Sequence, residues 1–148
     1  NANLDQLASL IGTLSATDYR EFAQPHTRRI FDAIGGRVPT IHFGTGTAMI
    51  LEDLRDAGGD VIGADWRIPI DEAWDRIGHD RAVQGNLEPT LLLGPTARLF
   101  VQADEVLRRV GGRPGHIFNL GHGILPSTPL EHVQMLADYV HSASRRTG

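Results

Sequence analysis

An α/β fold, with parallel strands alternating with helices, is what this sequence predicts, and three observations predict it. Short apolar runs alternate with segments of helical periodicity about five times, at the roughly 25–30 residue spacing of strand–helix–strand units. Runs such as 60–64 (DVIGA) and 116–120 (HIFNL) lack the strict alternation of a half-exposed strand, as expected where helices cover a parallel sheet. Glycines stop the helical segments, most clearly Gly35 with Gly36 and Gly58 with Gly59.

The elements follow in order. Residues 4–12 (LDQLASLIG) read as a short strand ending at Gly12. Over 15–36 a Ser or Thr cap precedes apolar residues at helical spacing, Tyr19, Phe22, Ala23, Ile30 and Ile34, which should face a core. Pro25 should kink or divide that helix, because its ring removes an amide donor and crowds the preceding turn. Strands are expected at 38–44, 60–66, 81–86 and 115–121, and helices at 47–59, near 69–78, within 94–112 and at 128–144. No low-complexity stretch or linker interrupts the pattern, so residues 1–148 form a single unit. The rhythm is compatible with an open doubly wound sheet and with part of a (β/α) barrel, and does not choose between them.

Composition narrows the function. With 41% hydrophobic and 22% charged residues the chain is an ordinary globular one, and a net charge of −4 argues against nucleic acid or anionic membrane as partner. The chain has no cysteine, which removes disulfides, thiolate metal sites and cysteine nucleophiles, and fits a cytoplasmic location. No stretch is apolar for the roughly eighteen residues of a membrane span. The sequence starts at Asn1 rather than Met, as expected of a processed or partial chain.

Both architectures place chemistry at the carboxyl ends of the strands. Polar and glycine residues gather there: Ser9 with Gly12, residues 42–46 (HFGTG), Asp65 with Trp66 and Arg67, residues 84–86 (QGN), and 119–123 (NLGHG). The opposite ends are plain turns, so an enzyme or ligand binder is favoured over a purely structural protein. The Gly-x-Gly of 44–48 (GTGTA) resembles a phosphate cradle but lacks the third glycine of a dinucleotide site, and reads better as a tight turn. Asp65 is either a base or the partner of Arg67 in a structural salt bridge. His42 is a candidate metal ligand without partners: the other histidines, 26, 79, 116, 122, 132 and 141, show no tight ligand spacing. His132 and His141 belong to the last helix and should border a solvated face. His122 differs, because two glycines flank it just past an apolar strand. Gly121 and Gly123 are expected to take unusual dihedrals and to let the backbone approach a ligand. The imidazole can exchange a proton near neutral pH or hydrogen-bond a carboxylate, the alternative being a histidine that caps the loop.

The segment 118–133 (FNLGHGILPSTPLEHV) closely resembles the carboxyl-terminal signature of the uroporphyrinogen decarboxylase family. Segments 63–73 (GADWRIPIDEA), 82–89 (AVQGNLEP), 39–47 (PTIHFGTGT) and 14–34 resemble further blocks of it, in order, and the resemblance runs from about residue 5 to 145. It implies a partial (β/α)8 TIM barrel, about five parallel strands alternating with helices, and a cofactor-independent carboxy-lyase. That enzyme removes the four acetate carboxyl groups of uroporphyrinogen III as CO2, giving coproporphyrinogen III in haem biosynthesis. It further implies a tetrapyrrole substrate, no metal or organic cofactor, and a possible homodimer. By the same resemblance, His122 contacts a substrate carboxylate, and Ser9 occupies the place of a substrate-binding serine although its neighbours in LASLIG differ from the family's. Gln84, Asn86 and Asp65 with Trp66 are assigned to architecture. The family's arginine-rich motif, its central aspartate and a substrate-binding tyrosine have no counterpart, so no catalytic residue is assigned in this chain and about the last five units of the barrel are expected. Two alternatives follow: a non-catalytic fragment that needs a complementary amino-terminal half, and a barrel methyltransferase of the same superfamily, which the lack of cysteine disfavours.

Overall fold

The structure is a computed structural model and describes residues 11–145. Helix α1 runs through three stretches, Ala16–Asp18, a π-helical Tyr19–Ala23, and Gln24–Ile34. The Ser15 hydroxyl accepts the Asp18 amide and caps its start, and Gly35 ends it with a φ of 55°, a left-handed conformation that costs glycine little. Pro25 stands at the start of the last stretch, directly after the π turn, where a missing amide hydrogen is tolerated. Then follow β1 (Ile41–Phe43), α2 (Leu51–Ala57), β2 (Val61–Gly63), α3 (Ile70–Ile77), β3 (Ala82–Leu87), α4 (Thr96–Val110), β4 (His116–Leu120) and α5 (Leu130–Ala143). Short 3-10 turns at Ala48–Ile50 and Pro89–Leu93 lead into α2 and toward α4.

The described residues form a four-stranded sheet of order β1-β2-β3-β4, with every pair parallel. The strand expected at 4–12 lies outside the described residues apart from Ile11 and Gly12, which are helical and in a turn rather than extended. Register places His42, Ile62, Val83 and His116 in one row, and Phe43, Gly63, Gln84 and Ile117 in the next. The first row faces the helices: Ile62 and Val83 are fully buried and His42 nearly so. The other face is open, with Ile41 49% and Ile117 43% exposed. A sheet whose order follows the chain, with helices on one face, is a segment of a barrel, since a doubly wound sheet reverses its order and covers both faces.

Periodicity explains the helix-side core. Helix α3 buries Ile70, Ala73, Trp74 and Ile77, and α4 buries Leu99, Ala103, Val106 and Val110, each set one face of a 3.6-residue repeat. These meet Leu51 and Leu54 of α2 and Leu136 and Val140 of α5 in one cluster. The Trp74 indole nitrogen donates to the Arg81 carbonyl at 2.8 Å, so its polar atom is satisfied. Helix α1 departs from the expected amphipathic pattern. Tyr19 is buried, yet Phe22 and Ile30 stand 62% and 61% exposed. Tyr19 and Ala23 join the core cluster, and Arg20, Gln24 and Arg28 hydrogen-bond the Asp53 carboxylate, the Asp53 carbonyl and the Asp56 carbonyl, while Phe22 and Ile30 lie on a flank that no described element covers. Among the described residues no helix is long and apolar enough to cross a membrane.

Trp74→Ala empties the centre of this cluster and should cost about 3–5 kcal/mol in urea unfolding; a loss under about 1 kcal/mol would contradict this packing.

Candidate functional site

Four loops meet at the carboxyl ends of the strands, and Asp65 joins them. Its side chain is 1% exposed and accepts from the Gly46 amide beyond β1, and from the amide and guanidinium of Arg67 at 2.8 Å each. The Asn86 side-chain amide, at the end of β3, donates to the Asp65 carbonyl at 2.8 Å and to the Ile68 carbonyl at 2.6 Å. Gly121, beyond β4, lies so close that a Cβ added there would sit 2.4 Å from the Trp66 nitrogen and 3.1 Å from the Asp65 Cα. The Gly121 amide also donates to the Leu87 carbonyl at 2.8 Å, which extends the β3–β4 pairing into the loop.

His122 follows directly on this junction. It is exposed, its Nδ1 lies 3.4 Å from the Gly123 carbonyl, and its ring stands edge-to-face against Trp66 at 90° with centroids 6.3 Å apart. A recess of about 300 Å3 opens beside it, formed by Phe43, Gln84, Asn119 and Leu120 with the turn from His122 to Ile124. Phe43 and Gln84 share a register row on the open face, so the recess faces the barrel interior at its carboxyl end. One imidazole and two carboxamides give it both donors and acceptors for a polar group, and Phe43 gives it an apolar wall.

The other sequence candidates fall elsewhere. Ser9 lies outside the described residues. In the loop 44–48 the Gly46 amide is taken by Asp65 and the Thr47 hydroxyl donates to the Gly44 carbonyl at 2.8 Å, so this is a self-satisfied turn. Asp65 is the structural partner of Arg67, with all its contacts to groups of the chain. His42 faces the helices, its Nδ1 lying 3.0 Å from the Leu54 carbonyl and 3.1 Å from that of Gly58. Burial pushes its pKa down, opposed by those two carbonyls. His116 is likewise pushed down by burial, with its Nε2 2.7 Å from the Gly85 carbonyl. His132 is half-buried at the edge of the solvated face and ties α5 to the 3-10 turn through the Leu92 carbonyl at 2.7 Å, and His141 is exposed as expected. Among the described residues no three His, Cys, Asp or Glu side chains gather as a metal site would require.

Two readings of the sequence need correction. Neither Gly121 nor Gly123 has a positive φ. Gly121 is required by its close approach to the Asp65–Trp66 backbone, not to a ligand, whereas nothing lies within 4 Å of a Cβ at Gly123. Gln84, read as mainly architectural, also lines the recess. Its parity relative to the buried Val83 was the available signal, because successive strand residues point to opposite faces.

Comparison with known proteins adds a family. The family model described as Uroporphyrinogen decarboxylase (URO-D) matches residues 3–143. Uroporphyrinogen decarboxylase from Sorangium cellulosum is 57% identical over 138 residues, which is 93% of this chain and 40% of the relative. That of Koribacter versatilis is 47% identical over 138 residues, 92% of this chain and 39% of the relative. The chain thus spans about two fifths of the length of the curated relatives it matches. A solved methyltransferase from Methanosarcina mazei shares the fold with a TM-score of 0.76 at 24% identity, over 89% of this chain and 39% of its own.

Gly121→Ala should destabilise the chain by about 1–3 kcal/mol through overpacking, with Gly123→Ala close to neutral, in thermal or urea unfolding; equal effects would contradict the close approach at Gly121. His42 is held neutral by burial, so its folded pKa lies below its unfolded value of about 6.5. The unfolded chain then binds more protons between the two values, and stability is full above about pH 6.5 and declines as pH falls below it. His42→Asn should make stability depend less steeply on pH below about 6.5, read from urea midpoints; an unchanged slope would contradict the assignment.

Proposed function

We propose a function from one premise: this chain belongs to the uroporphyrinogen decarboxylase family. On this reading it forms the carboxyl-terminal part of a (β/α)8 barrel that decarboxylates the four acetate side chains of uroporphyrinogen III. The product is coproporphyrinogen III, and the chemistry is that of a cofactor-independent carboxy-lyase in porphyrin and haem biosynthesis, in the cytoplasm. The observation that carries the proposal is the placement of His122: an exposed imidazole at the carboxyl end of β4, beside a polar recess on the inward face.

His122 hydrogen-bonds a carboxylate of the tetrapyrrole, and Gln84 and Asn119 bound the same recess. Ser9 supplies a second contact by the family resemblance. Decarboxylation needs somewhere for the electrons of the breaking C–C bond to go, and a pyrrole protonated on carbon is that sink. This chain's contribution is to hold and orient the substrate. The arginines, aspartate and tyrosine that the family uses for anchoring and charge stabilisation belong to the amino-terminal part of the barrel, and the complete protein acts as a homodimer without nucleic acid.

A second reading is favoured by the open inner face and by a groove of about 250 Å3 between β4 and α5, formed by residues that include Phe118, Leu120, Val133, Leu136 and Val140. These are surfaces that further barrel strands would cover, so the chain by itself is non-catalytic and gains activity when a complementary amino-terminal half completes it. Mixing the chain with the amino-terminal part of a family member and measuring CO2 release from uroporphyrinogen III separates the two readings. Release by the chain alone rejects the dependence on a partner. Release only after mixing supports it.

In the completed barrel, His122→Ala should lower kcat/KM about 10–100-fold, the loss of one hydrogen bond to a charged group, with the melting temperature unchanged because the loop buries little. Unfolding without loss of specific activity would make the histidine structural.

A further inference from the structure

Little in its own segment holds the His122 side chain. Glycines stand on either side, and its hydrogen bond to the Gly123 carbonyl is long at 3.4 Å. A ring with that freedom loses rotamer entropy when it meets a substrate, which weakens binding. The wall that restrains it comes from another strand. The Trp66 ring meets the imidazole edge-to-face at 6.3 Å, within the range in which aromatic pairs attract. Trp66 is itself held: the Arg67 guanidinium lies over its ring, 4.1 Å from the centroid, and Arg67 is tied to the buried Asp65 carboxylate at 2.8 Å. The two backbones are docked as well, since Gly121 leaves no room for a Cβ beside the Trp66 nitrogen.

We infer that Trp66 is a positioning residue for His122, fixing the imidazole in one rotamer at the edge of the recess. Arg67 and Asp65 act as the clamp behind it. The chain of contacts runs carboxylate, guanidinium, indole, imidazole, and each link joins the loop after β2 to the one after β4 or stiffens that junction. The inference deepens the proposed role of His122 and rests on it for its functional meaning. The contact is tested in the 148-residue chain without substrate, so its failure is separate from failure of the decarboxylase reading.

The experiment is NMR of the His122 ring and its χ1 couplings, with the signals identified by their loss in His122→Asn. In the unsubstituted chain the couplings should report one χ1 rotamer, and the ring protons should be displaced by the indole ring current. In Trp66→Leu the ring signals should move to the positions of an isolated histidine and the couplings should average. The signals of His42 and the far-UV circular dichroism should stay as they were. Trp66→Phe should restore part of the displacement. Arg67→Met removes a half-exposed guanidinium, and should move the His122 signals in the same direction by less; it decides the matter if Trp66→Leu does not fold. Rotamer averaging already present in the unsubstituted chain would overturn the inference. So would unmoved His122 signals in a folded Trp66→Leu, or in Arg67→Met should the leucine variant fail to fold.

Discussion

The carboxylate of Asp65 is the constraint on which the functional face depends. A buried carboxylate is acceptor-only and costly to desolvate, so it persists only where several donors converge on it. Here the donors are the Gly46 amide after β1 and the Arg67 amide and guanidinium after β2. The main chain beside it receives the Asn86 amide from β3 and packs against Gly121 from β4. The first two strand ends are thereby referred to this carboxylate, and the other two to the main chain beside it. No loop of this face can shift without breaking a hydrogen bond or creating a clash, and His122 inherits its position from that shared frame.

The sheet divides the chain's chemistry between its two faces. The row containing His42, Ile62, Val83 and His116 serves packing, and its two histidines place ring nitrogens against backbone carbonyls. The row containing Phe43, Gln84 and Ile117 faces the barrel interior and carries the recess. Two histidines near strand ends therefore have opposite fates. His42 is a core residue that helps join β1 to α2, and His122 is an exposed imidazole above an open interior. The same open face is the one that further strands of a barrel would enclose.

Much of this was legible in the sequence, for identifiable reasons. Ser15 as a cap, Gly35 as a stop and Pro25 at a break all act locally, so their effects could be read residue by residue. Strand positions followed from apolar runs, and His122 from its glycine neighbours and from the resemblance of 118–133 to a family signature. What escaped was tertiary. Strand order, which separates a barrel segment from an open sheet, has no local signal. Phe22 and Ile30 have the spacing of buried residues, and their exposure depends on what lies alongside the helix. Gly121 looked like a residue chosen for backbone freedom, whereas its smallness admits the Asp65–Trp66 backbone from another strand. Gln84 carried a local signal, its alternation with Val83 along β3, but which of the two faces is open depends on what covers the sheet.

The most direct test of this account is site-resolved amide hydrogen exchange in Asp65→Asn, which keeps the shape of the side chain but removes its charge. Exchange should become faster at Gly46, Arg67 and Gly121, with Ile62 and Val83 in the strands protected as before. Unchanged exchange at Gly46 and Arg67, or a uniform loss of protection across the sheet, would contradict the claim that this carboxylate organises the strand-end loops as one frame.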